Sequence, residues 1–214
     1  MLRVCLDFGH GGKDSGAIGI NGIKEKDINL SVGMKVKQYL EKYNVELILT
    51  RDNDSFISLD ERVKISNNNN CKLFVSIHCN AHTNPSANGF ESYSYKGNSA
   101  LQKLVHKNVI DHISLSDRGT KKGSYYVINY TKAEAILIEL GFITNNDDFT
   151  IITNNIDKIA SMIGKSIVQY LNLSQKEDND TYYRVVAGSY KVKDNADKMV
   201  EQLKRFGYGA FITK

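Results

Sequence analysis

Two histidines in this chain each close an apolar run. His10 follows RVCLDFG inside a glycine-rich loop, DFGHGGKDSGAIG, and His78 ends LFVSIH. Such a loop lets the backbone bend tightly and lets a ligand come close. It is not a phosphate cradle, because no lysine followed by Ser or Thr opens the next helix and the charge there is Glu25, which repels phosphate. In open α/β sheets ligands collect beyond the carboxyl ends of the strands, so His10 and His78 can share one rim with Glu25. Two imidazoles, one carboxylate and a position left for water are the ligand set of a catalytic zinc, which lowers the pKa of its water to about 7. Each residue also has a structural reading. Glu25 suits the positive end of a helix dipole, and a histidine at a strand end is commonly a hydrogen-bonded structural residue.

A further carboxylate, Glu139, stands in AILIELGF, where burial otherwise forbids an unpaired charge. Arg118 is a candidate partner. The favoured reading makes Glu139 a general base beside the metal, its proton affinity raised by burial. His82 is a candidate substrate contact. His106 and His112 fall in an amphipathic helical stretch, where a solvated or capping role is expected. Asp14, Asp52, Glu91, Asp147 and Asp148 have no such company and read as surface or loop charges. Tyr125 and Tyr126 read as core and rim packing.

Elements must hold these groups. Arg3 to Phe8, Val45 to Thr50, Leu73 to His78, Gly89 to Tyr95, Tyr125 to Asn129 and Ala135 to Leu140 are short runs rich in β-formers and predict six strands. Helical spacing follows Ile28, Val32, Val36 and Leu40, then Leu101, Leu104, Val105 and Val109, then Ile156, Ile159, Ile163, Ile167 and Leu171. Ser58 and Glu61 have the spacing of a capping box and start another helix. Strand and helix alternate, which predicts an α/β fold with a single, mostly parallel, twisted sheet of about six strands flanked by helices.

The polar stretch NLSQKEDNDT closes this domain, giving a catalytic domain at 1–173, a linker at 174–181 and a small βαβ unit at 182–214. In that unit Tyr183, Val185 and Ala187 alternate as a strand, Ala196, Met199, Val200, Leu203 and Phe206 keep helical spacing, and Gly209 to Thr213 predict a second strand. A unit this short cannot bury its own apolar face, since chains below about 40 residues generally need a partner or staple. It is expected to dock or pair.

With 214 residues, 41% apolar and 24% charged, the chain has enough apolar surface for a sizeable core. A net charge of +4 is too mild for a nucleic-acid site but suits an acidic wall polymer. Cys5, Cys71 and Cys79 have no CxxC spacing and imply no disulfide framework. The chain opens on MLRVCLDFGHGG without a basic stretch leading an apolar one, and no run is long enough to span a bilayer, so synthesis as a soluble cytoplasmic protein without membrane insertion is expected.

Across residues 2 to about 173 the chain resembles the zinc-dependent N-acetylmuramoyl-L-alanine amidases of the amidase-3 type. The likeness rests on DFGHGGKDSGAIG, EKDINL, LILTRDND, SLDERV, LFVSIHCNAH, GFESY and ILIELGFITN in that order. It departs at Phe8 and Glu134, where the family usually has proline. The resemblance implies a phosphorylase/hydrolase-like sheet, one zinc held by His10, Glu25 and His78, and Glu139 as the catalytic base that takes a proton from the activated water. The implied substrate is peptidoglycan, cut between muramic acid and L-alanine, in an autolysin of sporulating cells or a phage endolysin acting at the wall after release. The tail, with YYRVVAGSYKVKDNADKM, resembles half of a SPOR-type wall-binding repeat, which implies pairing of two chains as a homodimer and leaves Tyr182, Tyr190 and Tyr208 two readings, glycan contacts or core packing. Two other functions stay open on the residues alone: a zinc carboxypeptidase acting on wall peptides, and a wall-binding protein without catalysis.

Overall fold

In the computed structural model, which describes residues 1–97, 99–176 and 185–213, six strands form one sheet. They are β1 (Arg3–Phe8), β2 (Glu46–Leu49), β3 (Leu73–Asn80), β4 (Phe90–Ser94), β5 (Asp117–Lys122) and β6 (Glu134–Phe142), in the order β2-β1-β3-β6-β4-β5. Every neighbouring pair is parallel except β4 with β6. The central strands β1, β3 and β6 are the near-continuous apolar runs, as strands covered on both faces must be.

Helices α1 (Glu25–Leu40), α3 (Ala100–Ile110) and α6 (Ile156–Leu171) cover one face. Their stripes, Ile28, Val32, Val36 and Leu40 on α1 and Ile159, Ile163 and Ile167 on α6, join Leu6, Phe8, Val75 and Ile138 in one buried cluster, with α6 packing mainly on α1 and α3. Each such side chain contributes about 1.5–3 kcal/mol by leaving water. The other face carries α2 (Leu59–Asn68) and a smaller cluster of Cys5, Val63, Phe74, Val127, Ile128 and Leu137. Ser58 does cap α2, with Glu61 closing the reciprocal box. Cys5, Cys71 and Cys79 are all buried free thiols.

The sixth strand is not where the apolar pattern put it. Tyr125 to Asn129, expected as a strand, turns instead into α4 (Tyr126–Tyr130). Val127 and Ile128 are consecutive and both buried, whereas a strand would send them to opposite faces. The helical turn also brings Tyr126 and Tyr130 to 4.5 Å between ring centroids. The strand that completes the sheet is β5, DRGTKK, a polar edge held by its ladder to β4. A short helix, α5 (Asn146–Asn154), follows β6 and was also absent from the sequence expectation.

The chain divides into two compact units after Lys176. Ser174 to Lys176 belong to the first unit, since Ser174 O accepts from Asn44 N and Lys176 N donates to Lys42 O. In the second, α7 (Lys193–Arg205) forms over the expected helical spacing. The expected flanking strands do not: among the described residues Val185 to Ala187 and Gly209 to Thr213 pair with no strand, and Tyr183 and most of the expected linker lie outside them. A strand needs a ladder partner and a covered face, and here Val185 is 94% and Phe211 73% exposed. No helix among the described residues is long and apolar enough to cross a membrane.

A charge is buried at the heart of the sheet. Asp7, fully buried on β1, accepts from Arg62 Nη1 at 2.7 Å, Thr50 Oγ1 at 2.7 Å and Ser76 Oγ at 2.6 Å. Burial pushes its pKa up, but the Arg62 charge and these hydrogen bonds outweigh it and hold the carboxyl below its ordinary value.

Candidate metal centre

His10 leaves β1 with φ 61, a left-handed conformation that costs a non-glycine residue about 1–2 kcal/mol. Two buried arginines hold it there. Arg62 Nη2 donates to His10 O at 2.7 Å, while Arg51 donates to Phe8 O at 2.7 Å and to Gly9 O at 3.0 Å. Arg51 also reaches Lys26 O at 2.7 Å, which ties this loop to the start of α1. Glycine is required on both sides: a Cβ at Gly9 would stand 2.2 Å from the His78 ring, and one at Gly16 2.6 Å from Glu25 Oε2 and from His10 Cδ2.

Glu25 is buried in the first turn of α1. Its Oε1 accepts from Cys79 N at 3.1 Å and Asn29 Nδ2 at 3.2 Å, and His78 Nδ1 lies 2.9 Å away. Its Oε2 accepts from Ala17 N at 3.0 Å and lies 3.1 Å from His10 Nε2. One ligand atom each from His10, Glu25 and His78 therefore falls within 4.8 Å of the others. The fit to a divalent ion is good on chemistry as well as distance. Asp14 Oδ2 sits 2.8 Å from His10 Nδ1, so Nε2 is the nitrogen turned to the cluster, the carboxylate–histidine arrangement that orients metal ligands. The imidazoles remain 24% and 19% exposed, leaving an approach for substrate.

The protonated forms show the same pull. Burial disfavours charge on His10, yet Glu25 and Asp14 raise its pKa to about 9, and Glu25 likewise raises that of His78 against burial. Glu25 itself is held well below the usual carboxylate range: burial opposes ionisation and the two histidines outweigh it.

Glu139 lies on β6 directly in register with His78 on β3. It is buried, its Oε2 has no hydrogen-bond partner, and burial above all pushes its pKa up to about 7. Arg118, the candidate partner from sequence, does not pair with it. Arg118 Nε donates instead to Glu91 Oε2 at 2.7 Å. Glu91, read as a surface charge, is buried on β4 directly opposite Glu139. Asp14 and Asp148 also have company: Asp148 accepts from Gly89 N at 2.7 Å and Phe142 N at 2.8 Å, joining the loop before β4 to the end of β6. Asp52 and Asp147 are exposed.

The other histidines stand apart. His106 bonds Ser92 Oγ and Asp117 Oδ1, His112 lies past the end of α3 with Nδ1 on Asn108 O, and His82 sits in an exposed loop. Arg51, Arg62 and Asp14 are the functional supports that spacing did not reveal. The available signal was Asp14 four residues after His10, and two arginines that each adjoin apolar residues, in LILTR and ERVKI.

A mostly parallel α/β sheet with two imidazoles, a buried carboxylate and a second, unpartnered carboxylate gathered at its strand ends defines a hydrolase-type fold with a candidate metal site. Comparison with known sequences makes this specific. The pattern of the family described as N-acetylmuramoyl-L-alanine amidase matches residues 4–169, and that of the SPOR domain matches residues 154–214. The chain belongs to the N-acetylmuramoyl-L-alanine amidase family and is a peptidoglycan-hydrolysing enzyme of cell-wall lysis. It is 32% identical over 220 residues to the sporulation-specific N-acetylmuramoyl-L-alanine amidase of Bacillus subtilis (strain 168), covering 99% of this chain and 84% of that protein. It is 40% identical over 185 residues to the endolysin of Bacillus phage SPP1, covering 81% and 67%. The catalytic domain of the amidase CwlV from Bacillus (Paenibacillus) polymyxa var. colistinus superposes with a TM-score of 0.78 at 35% identity, covering 81% of this chain and 100% of that one.

Proposed function

We propose that this chain cleaves the amide bond between N-acetylmuramic acid and the first L-alanine of the peptide stem, with one zinc ion held by His10, Glu25 and His78 and with Glu139 as general base. The observation that carries the reading is Glu139, a buried carboxylate with an unpartnered oxygen, in register with His78. Zinc, when bound, supplies a Lewis acid that polarises a carbonyl and lowers the pKa of water. Glu139 takes a proton from the water that adds to the lactyl carbonyl carbon. As the C–N bond breaks, Glu139 returns that proton to the departing alanine nitrogen, and no covalent enzyme intermediate is required. Asp14 keeps His10 in one tautomer, while Arg51 and Arg62 keep its backbone in place.

The test is amine release from purified peptidoglycan, before and after zinc is chelated and restored. New N-terminal alanine that appears only with zinc supports the reading. Release of a carboxyl-terminal amino acid would indicate a carboxypeptidase instead, and wall binding without release a binding protein.

Zinc must displace protons from the imidazoles, since only neutral histidine is a ligand. With the His10 pKa raised to about 9 and that of His78 raised as well, zinc affinity is expected to rise at least tenfold per pH unit from pH 6 upward and to level off near pH 9. Titration calorimetry in buffers of different ionisation heat reads the released protons directly; an affinity flat with pH contradicts this ligand set.

The division we propose is a catalytic domain at 1–173 and a wall-binding repeat at 182–214 joined by 174–181, with the first three linker residues, Ser174 to Lys176, packed on the catalytic unit. The likeness to the sporulation-specific amidase over 99% of the chain supports lysis of the mother-cell wall over phage-type lysis. Tyr190 and Tyr208, 41% and 66% exposed, are available to glycan, while Tyr182 lies outside the described residues. The repeat buries none of its described residues, and α7 exposes a stripe that needs a cover. Pairing of two repeats into a homodimer supplies one. Light scattering at micromolar concentration is expected to show twice the chain mass, and a strict monomer overturns the pairing.

A further inference from the structure

Glu91 is held by more positive charge than it needs. Its Oε1 accepts from Asn80 Nδ2 at 2.6 Å and Tyr93 OH at 2.8 Å, and its Oε2 accepts from Arg118 Nε at 2.7 Å and from Lys121 Nζ. One cation neutralises this carboxylate; the second leaves a surplus charge. Glu91 is nearly sealed at 3% exposure, but the Arg118 and Lys121 side chains remain 37% and 35% exposed. Arg118 Nη1 reaches Asn88 O at 3.2 Å, and Nη2 donates no hydrogen bond among the described residues. Phe142 lies under the guanidinium at 4.9 Å, which fixes its plane while leaving an outer edge for a ligand.

The position of this pair matters. His78 on β3, Glu139 on β6 and Glu91 on β4 face one another across successive strands, and β5, which carries Arg118 and Lys121, is the next strand along. Strands are spaced about 4.8 Å apart, so β5 lies about 10 Å from the strand of Glu139. Two residues of extended peptide span about 7 Å, and the long cationic side chains cover the remainder. A peptide with its first amide nitrogen at Glu139, running along the strand ends towards β5, delivers its second residue to the cations.

We propose that Arg118 and Lys121 bind a free carboxylate on the second residue of the stem peptide, making the enzyme selective for stems that carry that charge over stems in which it is amidated. This rests on the amidase reading above, with the scissile amide at His10, Glu25, His78 and Glu139. Arginine and lysine suit the task because charge-assisted hydrogen bonds to carboxylate are stronger than neutral ones.

The experiment uses the full zinc-loaded chain and two synthetic muramoyl tripeptides, identical except that the second residue bears a carboxylate or a carboxamide. The unaltered chain is expected to favour the carboxylate about tenfold in kcat/KM, mainly through KM, with the ratio shrinking as added salt screens the contact. In Arg118→Gln and in Lys121→Gln, each of which leaves Glu91 one cation, the ratio is expected to fall to within about twofold. The ratio is internal, so a general loss of turnover does not blur it, and the salt dependence of the unaltered chain decides even if a variant does not fold. A ratio near one in the unaltered chain, or a tenfold ratio surviving in both variants, overturns the proposal while leaving the amidase reading intact. Failure to cleave either tripeptide overturns both.

Discussion

Glu139→Ala is expected to keep one zinc per chain and lower kcat about a thousandfold, the scale on which a positioned general base acts. The zinc remains because Glu139 is outside the cluster of His10, Glu25 and His78. The loss is large because no other carboxylate can replace it: Glu91, opposite on β4, is already taken by Arg118 and Lys121, and Glu25 by the two histidines. Zinc content by atomic absorption and turnover on a muramoyl peptide check the two halves separately. Turnover within tenfold of the unaltered chain would remove Glu139 from the proton path, and loss of zinc would make it a ligand.

Arg62→Met carries the largest expected cost in stability, about 3–5 kcal/mol, because it leaves the Asp7 charge buried without its cation. That is a large share of the roughly 5–15 kcal/mol that separates a folded domain from its unfolded chain. The sign with pH follows from the direction of the Asp7 shift. A carboxyl held below its ordinary pKa of about 3.9 stabilises the fold above that value and gives up this contribution as pH falls through the lower, folded-state pKa. Without Arg62, burial prevails and the Asp7 pKa rises, so acid unfolding begins at higher pH. Denaturant melts from pH 3 to pH 7 test this, and an unchanged midpoint would show that Asp7 does not depend on Arg62. The variant also frees His10 O, so its zinc affinity is expected to fall along with its stability.

The sheet was legible wherever burial on both faces writes an unbroken apolar run, as in β1, β3 and β6, and those three strands carry or adjoin the candidate site. β5 was not legible, because an edge strand held by backbone hydrogen bonds needs no apolar pattern, and DRGTKK has none. Tyr125 to Asn129 misled for the opposite reason: β-forming side chains packed into one turn of helix. The same division runs through the site. His10, Glu25, His78 and Glu139 announce themselves by residue type at strand and helix ends. The partners of Asp14 and Glu91 do not, because Glu91 meets its cations through the ladder of β4 with the illegible β5, and Asp14 meets His10 through a loop whose path the glycines alone leave open.

The proposed metal ligands come from elements that meet only once the sheet is assembled: His10 follows β1, His78 lies near the end of β3, and their strands pair across a long stretch of chain. Pairings of this kind form late, because loop closure must precede any gain from the contact. An ion seated there therefore has nothing to hold in the early folding chain and cannot hasten its collapse. It holds the finished molecule, and its stabilisation, about 2.7 kcal/mol when free metal is a hundredfold above its dissociation constant, falls on the unfolding rate. Metal bound at the proposed ligands would thus act as a latch on a wall-lytic enzyme, lengthening the life of the folded state without changing how quickly it is reached.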